Sequence, residues 1–189
     1  MGEGEALSVE FELTGSEVAW RGRIISAGVE RFRYADGERT ERDKVWHPGA
    51  VGVIASDDHD VWLTRQPREA ARLTASLEIP AGKLDVEGEP PLDCAKRELA
   101  EEVGLRAGAW EPVLDFHTSL GFCDERIWLF RAAGLSEVPG GARPDHDERI
   151  EVVRWPLRRL DAAIAQSTDA KTLIALLWLA RRMSAGDSR

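Results

Sequence analysis

The sequence predicts an α/β fold: a layered sandwich of mixed strands and helices, preceded by a small N-terminal antiparallel β-sheet. Three features predict it. Residues 9–46 carry short runs of alternating apolar and polar residues with no helical period. One internal segment, Glu89 to Val103, has helical spacing among strand-like neighbours. Two helix-forming segments close the chain.

In the first part, VEFEL from Val9, then EVAW, RIISAGVERFRY, a turn at Ala35-Asp36-Gly37 and ERDKVW to Trp46 read as a sheet without helices. His47-Pro48-Gly49 is a turn signal and marks the boundary, dividing the chain into residues 1–46 and 47–189. Beyond it, AVGVIAS and DVWLTRQ form a strand pair through Asp57-Asp58-His59, and SLEIPAG is a short strand ended by proline and glycine. Pro90 and Pro91 suit the first turn of the internal helix, and Gly104 suits a left-handed cap at its end. WEPVLDFHTS and ERIWLFRAAG are strands separated by a loop from Leu120 to Asp124, and IEVVRW is another. The closing helices start at Pro156 and near Ala170, the second capped by Thr168 or Asp169. Its apolar run LIALLWLA, Leu173 to Ala180, is too short for a membrane span and reads as a buried helix.

Composition narrows the function. The chain has 189 residues, 43% hydrophobic and 31% charged, enough for one packed core and a small addition. A net charge of −9 argues against non-specific binding to nucleic acid or anionic membranes, both of which need clustered Lys and Arg. The acidic start MGEGEALSVEFE lacks the features of a signal peptide, so a cytoplasmic location is expected. Cys94 and Cys123 lack metal-ligand spacing and suit a reducing compartment. His47, His59, His117 and His146 show no ligand spacing either.

The informative segment is GKLDVEGEPPLDCAKRELAEEVGL, residues 82–105. At helical spacing Leu92, Ala95, Leu99 and Val103 face a core, which leaves Glu98, Glu101 and Glu102 together on another side. Like charges three and four residues apart repel, so the cluster calls for a compensating cation. Hard divalent ions such as Mg²⁺ take carboxylate, carbonyl and water oxygens and pair with phosphates. Pairs of charged residues on helices are usually only solvated faces. The full string of glycine, glutamate, Arg-Glu, Glu-Glu and glycine has a chance probability on the order of 10⁻⁸.

This segment resembles the Nudix box, G-x5-E-x7-R-E-U-x-E-E-x-G-U, matched by Glu89, Arg97, Glu98, Leu99, Glu101, Glu102, Gly104 and Leu105. Gly82 stands seven positions before Glu89 rather than six, so the loop Lys83 to Gly88 holds one extra residue. The resemblance implies a Nudix α/β/α sandwich and hydrolysis of a pyrophosphate bond with Mg²⁺, or Mn²⁺, as cofactor. It further implies that Glu98 and Glu102 ligate the metal, that Glu101 assists, and that the Ala81 carbonyl is a further ligand. Arg97 and Glu89 hold the helix geometry.

The surroundings resemble the ADP-ribose pyrophosphatase branch of that family. Val45 to Val51 match VxHPGAV, Gln66 and Arg68 match Q-x-R, and LEIPAGKLD and GFCDE match ELPAGxxD and GFSDE. This likeness implies an N-terminal sheet exchanged across a homodimer and a small-molecule nucleotide substrate, ADP-ribose before others. Arg42 and Asp43 would reach the substrate in the partner's site, with Gln66 and Arg68 as further contacts and Trp46 or Trp20 stacking on the base. Glu148, in PDHDERIEVV, is implied as the catalytic base with Asp147 behind it. Two positions depart from the branch: Leu120 stands where it has proline, and Pro67 where it has tyrosine. They leave open another nucleoside diphosphate sugar or a nucleoside triphosphate as substrate. A non-catalytic ligand sensor is the contrasting class, although such proteins tend to lose glutamates that are all present here.

Overall fold

The computed structural model describes residues 9–143 and 149–186. The chain divides into two compact units: the residues up to Pro48 together with Ser119–Glu125, and Gly49–Thr118 with the chain from Arg126 onward.

In the smaller unit β1 (Phe11–Arg21), β2 (Ser26–Tyr34) and β3 (Arg39–Trp46) form an antiparallel sheet in the order β1-β2-β3. VEFEL and EVAW, expected as separate runs, are one strand. Register shifts between Leu13 and Gly15 and between Val18 and Trp20 absorb the break in alternation, as bulges do. The turn falls where Asp36 and Gly37 place it: the Asp36 carboxylate accepts the Glu38 N–H at 2.9 Å, and Gly37 has φ +90°. Phe11 meets Phe32 and Tyr34 edge to face, at 5.5 and 6.1 Å between centroids. The segment expected as a plain loop between two later strands is fastened here. The Val45 N–H donates to the Phe122 carbonyl at 2.7 Å, and the Asp124 carboxylate accepts the His47 N–H at 2.8 Å and meets Lys44 at 3.0 Å.

The larger unit is built on a mixed seven-stranded sheet of β4 (Ala50–Ser56), β5 (Asp60–Arg68), β6 (Leu73–Glu78), β7 (Ala81–Lys83), β8 (Leu105–His117), β9 (Arg126–Glu137) and β10 (Glu151–Pro156). β4 lies wholly buried at its centre, parallel to β9. Its alternation sorts the core into two layers. Val51, Val53 and Ala55 pack with Cys94, Ala95, Leu99 and Val103 of the acidic helix, while Ile54 packs on the other face with Leu160, Ala163, Leu176 and Leu179. Those last four belong to α2 (Leu160–Gln166) and α3 (Ala170–Gly186). The architecture is therefore helix, sheet, helix. Asp169 caps α3 as expected, its carboxylate accepting the Thr172 N–H at 3.0 Å. Among the described residues no helix is long and apolar enough to cross a membrane.

One feature of the sheet positions the site. β4 and β5 pair only at Ala55–Trp62 and Ser56–Val61, then splay apart. SLEIPAG, expected as one strand, is two: β6 follows β5, the chain crosses at Ile79-Pro80, and β7 lies beside the first half of β4, Gly52 opposite Ala81 and Val51 opposite Gly82. Proline has no N–H to give a ladder, but the Pro80 carbonyl accepts the Val53 N–H at 2.8 Å and closes the crossing.

Candidate active site

The acidic helix begins at Pro91, two residues later than expected from periodicity, and α1 (Pro91–Glu98) passes into a π turn at Leu99–Val103. Pro90 is extended and Pro91 takes the first helical position, where its missing N–H costs nothing. Gly104, at φ +74°, ends the element in the left-handed region, as expected from its place in the sequence. Ala95 and Leu99 are fully buried, and burying a leucine stabilises by roughly 1.5–3 kcal/mol, so the apolar face clamps the helix onto β4.

That clamp brings the carboxylates to the splay. Glu102 is buried, and its Oε2 accepts the Ala81 N–H at 3.0 Å. Glu98 lies against Gly82 so closely that a Cβ there would stand 1.9 Å from the Glu98 Cδ. The glycine of the motif is thus Gly82 despite the longer loop. The extra residue is taken up in the turn where the Glu89 N–H donates to the Val86 carbonyl at 3.1 Å, with Gly88 at φ +77°.

Arg97 supplies much of the cation that the crowded charges call for. Its Nε and Nη2 grip Glu89 at 3.0 and 2.9 Å, and its Nη1 donates to Glu98 and Glu101 at 2.7 and 3.0 Å. The hydrogen bonds with Glu89 are the largest influence holding the Arg97 pKa above its ordinary value, and they lower that of Glu89. Cys94 is buried beside them, its thiol pushed up to about 12 by burial, so it stays protonated and donates to the Lys83 carbonyl at 3.4 Å. Both cysteines are free.

Expected metal ligands are therefore gathered on one wall: Glu98 at Gly82, Glu102 at the Ala81 amide, and Glu101 joined to Glu98 through Arg97. Among the described residues no three acidic, histidine or cysteine side chains converge on one point as a finished metal centre, and Arg97 bridges Glu98 and Glu101. The donor set is nonetheless all hard oxygen, which fits a divalent cation of the magnesium type.

The other expected residues fall in three places. Gln66 is buried on β5 opposite Ser76, and Arg68 stands half-exposed at the end of that strand. Arg42 and Asp43 are exposed on β3 in the smaller unit, with Trp46 half-buried at the strand's end. Arg42 donates to the Thr40 hydroxyl and to the Glu41 carbonyl, and Arg42 and Asp43 line a groove of about 360 Å³ with Phe32, Tyr34, Leu120 and Phe122. Glu148 and Asp147, named for the base, lie outside the described residues.

Sequence reasoning missed Glu78. Its carboxylate is buried, which alone would raise its pKa, yet the fork of Arg68 at 2.7 and 2.7 Å and the ammonium of Lys171 at 2.6 Å outweigh burial and hold it at about 2. An acid between Leu77 and Ile79, in the phrase next to the box, was the available signal, since a carboxylate on a core-facing strand demands buried cations. The folded value lies below the unfolded 4.5, so the stabilisation is complete above about pH 4.5 and is lost as pH falls towards about 2. Urea unfolding should therefore show a loss on the order of 3 kcal/mol across that window, and Glu78→Gln should flatten it. An unchanged acid dependence in the variant would assign the loss to other groups.

Against this geometry, comparison with known proteins is direct. The NUDIX domain model matches residues 46–176. The chain belongs to the Nudix family, whose hydrolases are metal-dependent. It is 39% identical over 149 residues to the ADP-ribose pyrophosphatase of Mycobacterium tuberculosis (strain ATCC 25618 / H37Rv), covering 77% of this chain and 70% of that protein. It is 35% identical over 175 residues to the ADP-ribose pyrophosphatase of Bacillus subtilis (strain 168), covering 91% and 94%. It is also 36% identical over 167 residues to the methanol dehydrogenase activator of Bacillus methanolicus, covering 87% and 89%. In three dimensions it resembles the crystal structure of an ADP compounds hydrolase with a TM-score of 0.79 at 22% identity, over 95% of this chain and 97% of that one, a likeness of fold.

Proposed function

We propose that this protein is a Nudix pyrophosphatase that hydrolyses ADP-ribose to AMP and ribose 5-phosphate, with Mg²⁺ as its working ion. The observation that carries the reading is the acidic wall: Glu102 fastened to the Ala81 amide, and Glu98 seated on Gly82. Relatives that act on ADP-ribose, at 35% and 39% identity, support the choice of substrate.

Glu98 and Glu102, with Glu101 and the Ala81 carbonyl, would hold the divalent ions. When bound, such ions acidify the attacking water and offset charge on the pyrophosphate oxygens. Arg97 keeps Glu98 and Glu101 in place, and Glu89 keeps Arg97 in place. Glu148 is assigned as the base that takes the proton from water as one phosphorus–oxygen bond forms and the bridging bond breaks. Arg68 is assigned to a phosphate oxygen, with Gln66 supporting it.

Arg42, Asp43 and Trp46 are assigned to the nucleotide through a homodimer that exchanges the N-terminal sheet. Phe11, Leu13 and Trp20 on β1, with Leu120 and Phe122, are each more than half exposed, an apolar surface that a second copy of the chain would cover. A cytoplasmic location accords with the free thiols.

The test is incubation with ADP-ribose, ADP-sugars, GDP-mannose and nucleoside triphosphates in Mg²⁺, with products identified by mass. AMP and ribose 5-phosphate from ADP-ribose are expected to dominate, and light scattering of the same sample should give a dimer mass. No turnover of any of these compounds would sink the enzymatic reading, and a monomer would sink the exchange. Leu120, where the branch has proline, favours a second reading in which another nucleoside diphosphate sugar is preferred; the same screen decides it.

A further inference from the structure

Behind the acidic wall a buried chain of charges runs from α3 to the rim of the site, and the pyrophosphatase reading gives none of it a task except Arg68. Its middle member is the most deeply buried: the side chains of Lys171, Glu78 and Arg68 are 12%, 2% and 44% exposed. Lys171 Nζ contacts Glu78 at 2.6 Å and Asp169 at 2.9 Å. The Asp169 carboxylate also accepts the Thr172 hydroxyl at 2.6 Å, and that hydroxyl accepts the Ile79 N–H at 2.9 Å. The α3 N-terminus is thereby tied to the residue that precedes the Pro80 crossing.

We propose that Glu78, Lys171 and Asp169 are positioning residues that fix the Arg68 guanidinium at the rim of the acidic wall, oriented for a phosphate oxygen of the nucleoside diphosphate substrate. Three features carry this. Glu78 takes Nε and Nη2 of Arg68 in a two-point grip, which sets the plane of the guanidinium and leaves its Nη1 edge for a second oxyanion. Lys171 shares the same carboxylate and is itself held by Asp169, so Glu78 is pinned from a second side and cannot swing with Arg68. Arg68 also feels the field of Glu102, the carboxylate on the Ala81 amide, so the rim lies within electrostatic reach of the wall. A long, half-exposed arginine at a strand end would otherwise sample many rotamers, and fixing it beforehand removes an entropic cost of binding.

The inference rests on the diphosphate reading, and its test separates the two. Affinity for the non-hydrolysable α,β-methylene analogue of ADP-ribose, with Mg²⁺ present, is measured by calorimetry for the unsubstituted protein, Lys171→Met, Lys171→Arg, Arg68→Ala and the double variant Lys171→Met/Arg68→Ala. Hydrolysis of ADP-ribose is measured alongside. Lys171→Met should bind about tenfold more weakly, as for a lost charge-assisted hydrogen bond, with the change falling on KM rather than kcat. Lys171→Arg should recover most of it, and Lys171→Met should cost nothing further once Arg68 is alanine. Should Lys171→Met fail to fold, Asp169→Asn carries the same comparison. Unchanged affinity in folded Lys171→Met or Asp169→Asn, or an equal loss with and without Arg68, would overturn the inference while hydrolysis stands. Analogue binding without hydrolysis would overturn the pyrophosphatase reading and leave the affinities to decide this one. An unsubstituted protein that does not bind the analogue overturns the inference outright.

Discussion

Glu102→Gln should abolish turnover of ADP-ribose while leaving the melting temperature nearly unchanged. Glu102 is buried and spends one oxygen on the Ala81 N–H at 3.0 Å. Glutamine has the same shape, and its amide oxygen can accept that hydrogen bond, so the splay keeps its packing. The negative charge is what goes. Cations held at a pyrophosphate supply several kcal/mol of charge stabilisation, and about 1.4 kcal/mol is a factor of ten, so a fall of roughly a thousandfold is expected. Near-normal rates in the folded variant would remove Glu102 from the list of ligands. A large fall in melting temperature would instead mark it as a structural acid.

The second large effect is expected from Gly82→Ala, which adds one methyl group and no charge. The new Cβ would stand 1.9 Å from the Glu98 Cδ and 2.0 Å from its Oε1, so the carboxylate must swing away. It is the end of a flexible side chain, and the cost to stability should stay near about 1 kcal/mol. Turnover should fall about a hundredfold, as for a misplacement on the scale of an ångström. Thermal unfolding and steady-state rates on one preparation separate the outcomes. Unchanged rates would show that Glu98 need not rest on Gly82 to function.

Much of this site could be read from the chain before any coordinates. Pro91 and Gly104 bracket the acidic element because one lacks an N–H and the other tolerates positive φ, both local properties. Ala95, Leu99 and Val103 face β4 because their spacing leaves one apolar stripe. Gly82 was legible as the glycine of the box in spite of the extra residue before Glu89, but its contact with Glu98, between residues on different elements, was not. Arg97 as the hub of Glu89, Glu98 and Glu101 was half-visible, since the spacing brings them near but not which oxygen each nitrogen takes.

The sequence alone determined the sandwich class, the acidic helix and its caps, because these follow from periodicity and from the backbone limits of proline and glycine. Tertiary structure alone decided that β4 and β5 part to admit Ala81 and Gly82, that Ser119–Glu125 fastens to β3, and that Lys171 reaches Glu78 across ninety-three positions of chain. The physical reason is the same in each case. A buried charge or an unpaired strand edge must find its partner in space, and nothing in the local sequence says which distant residue will answer.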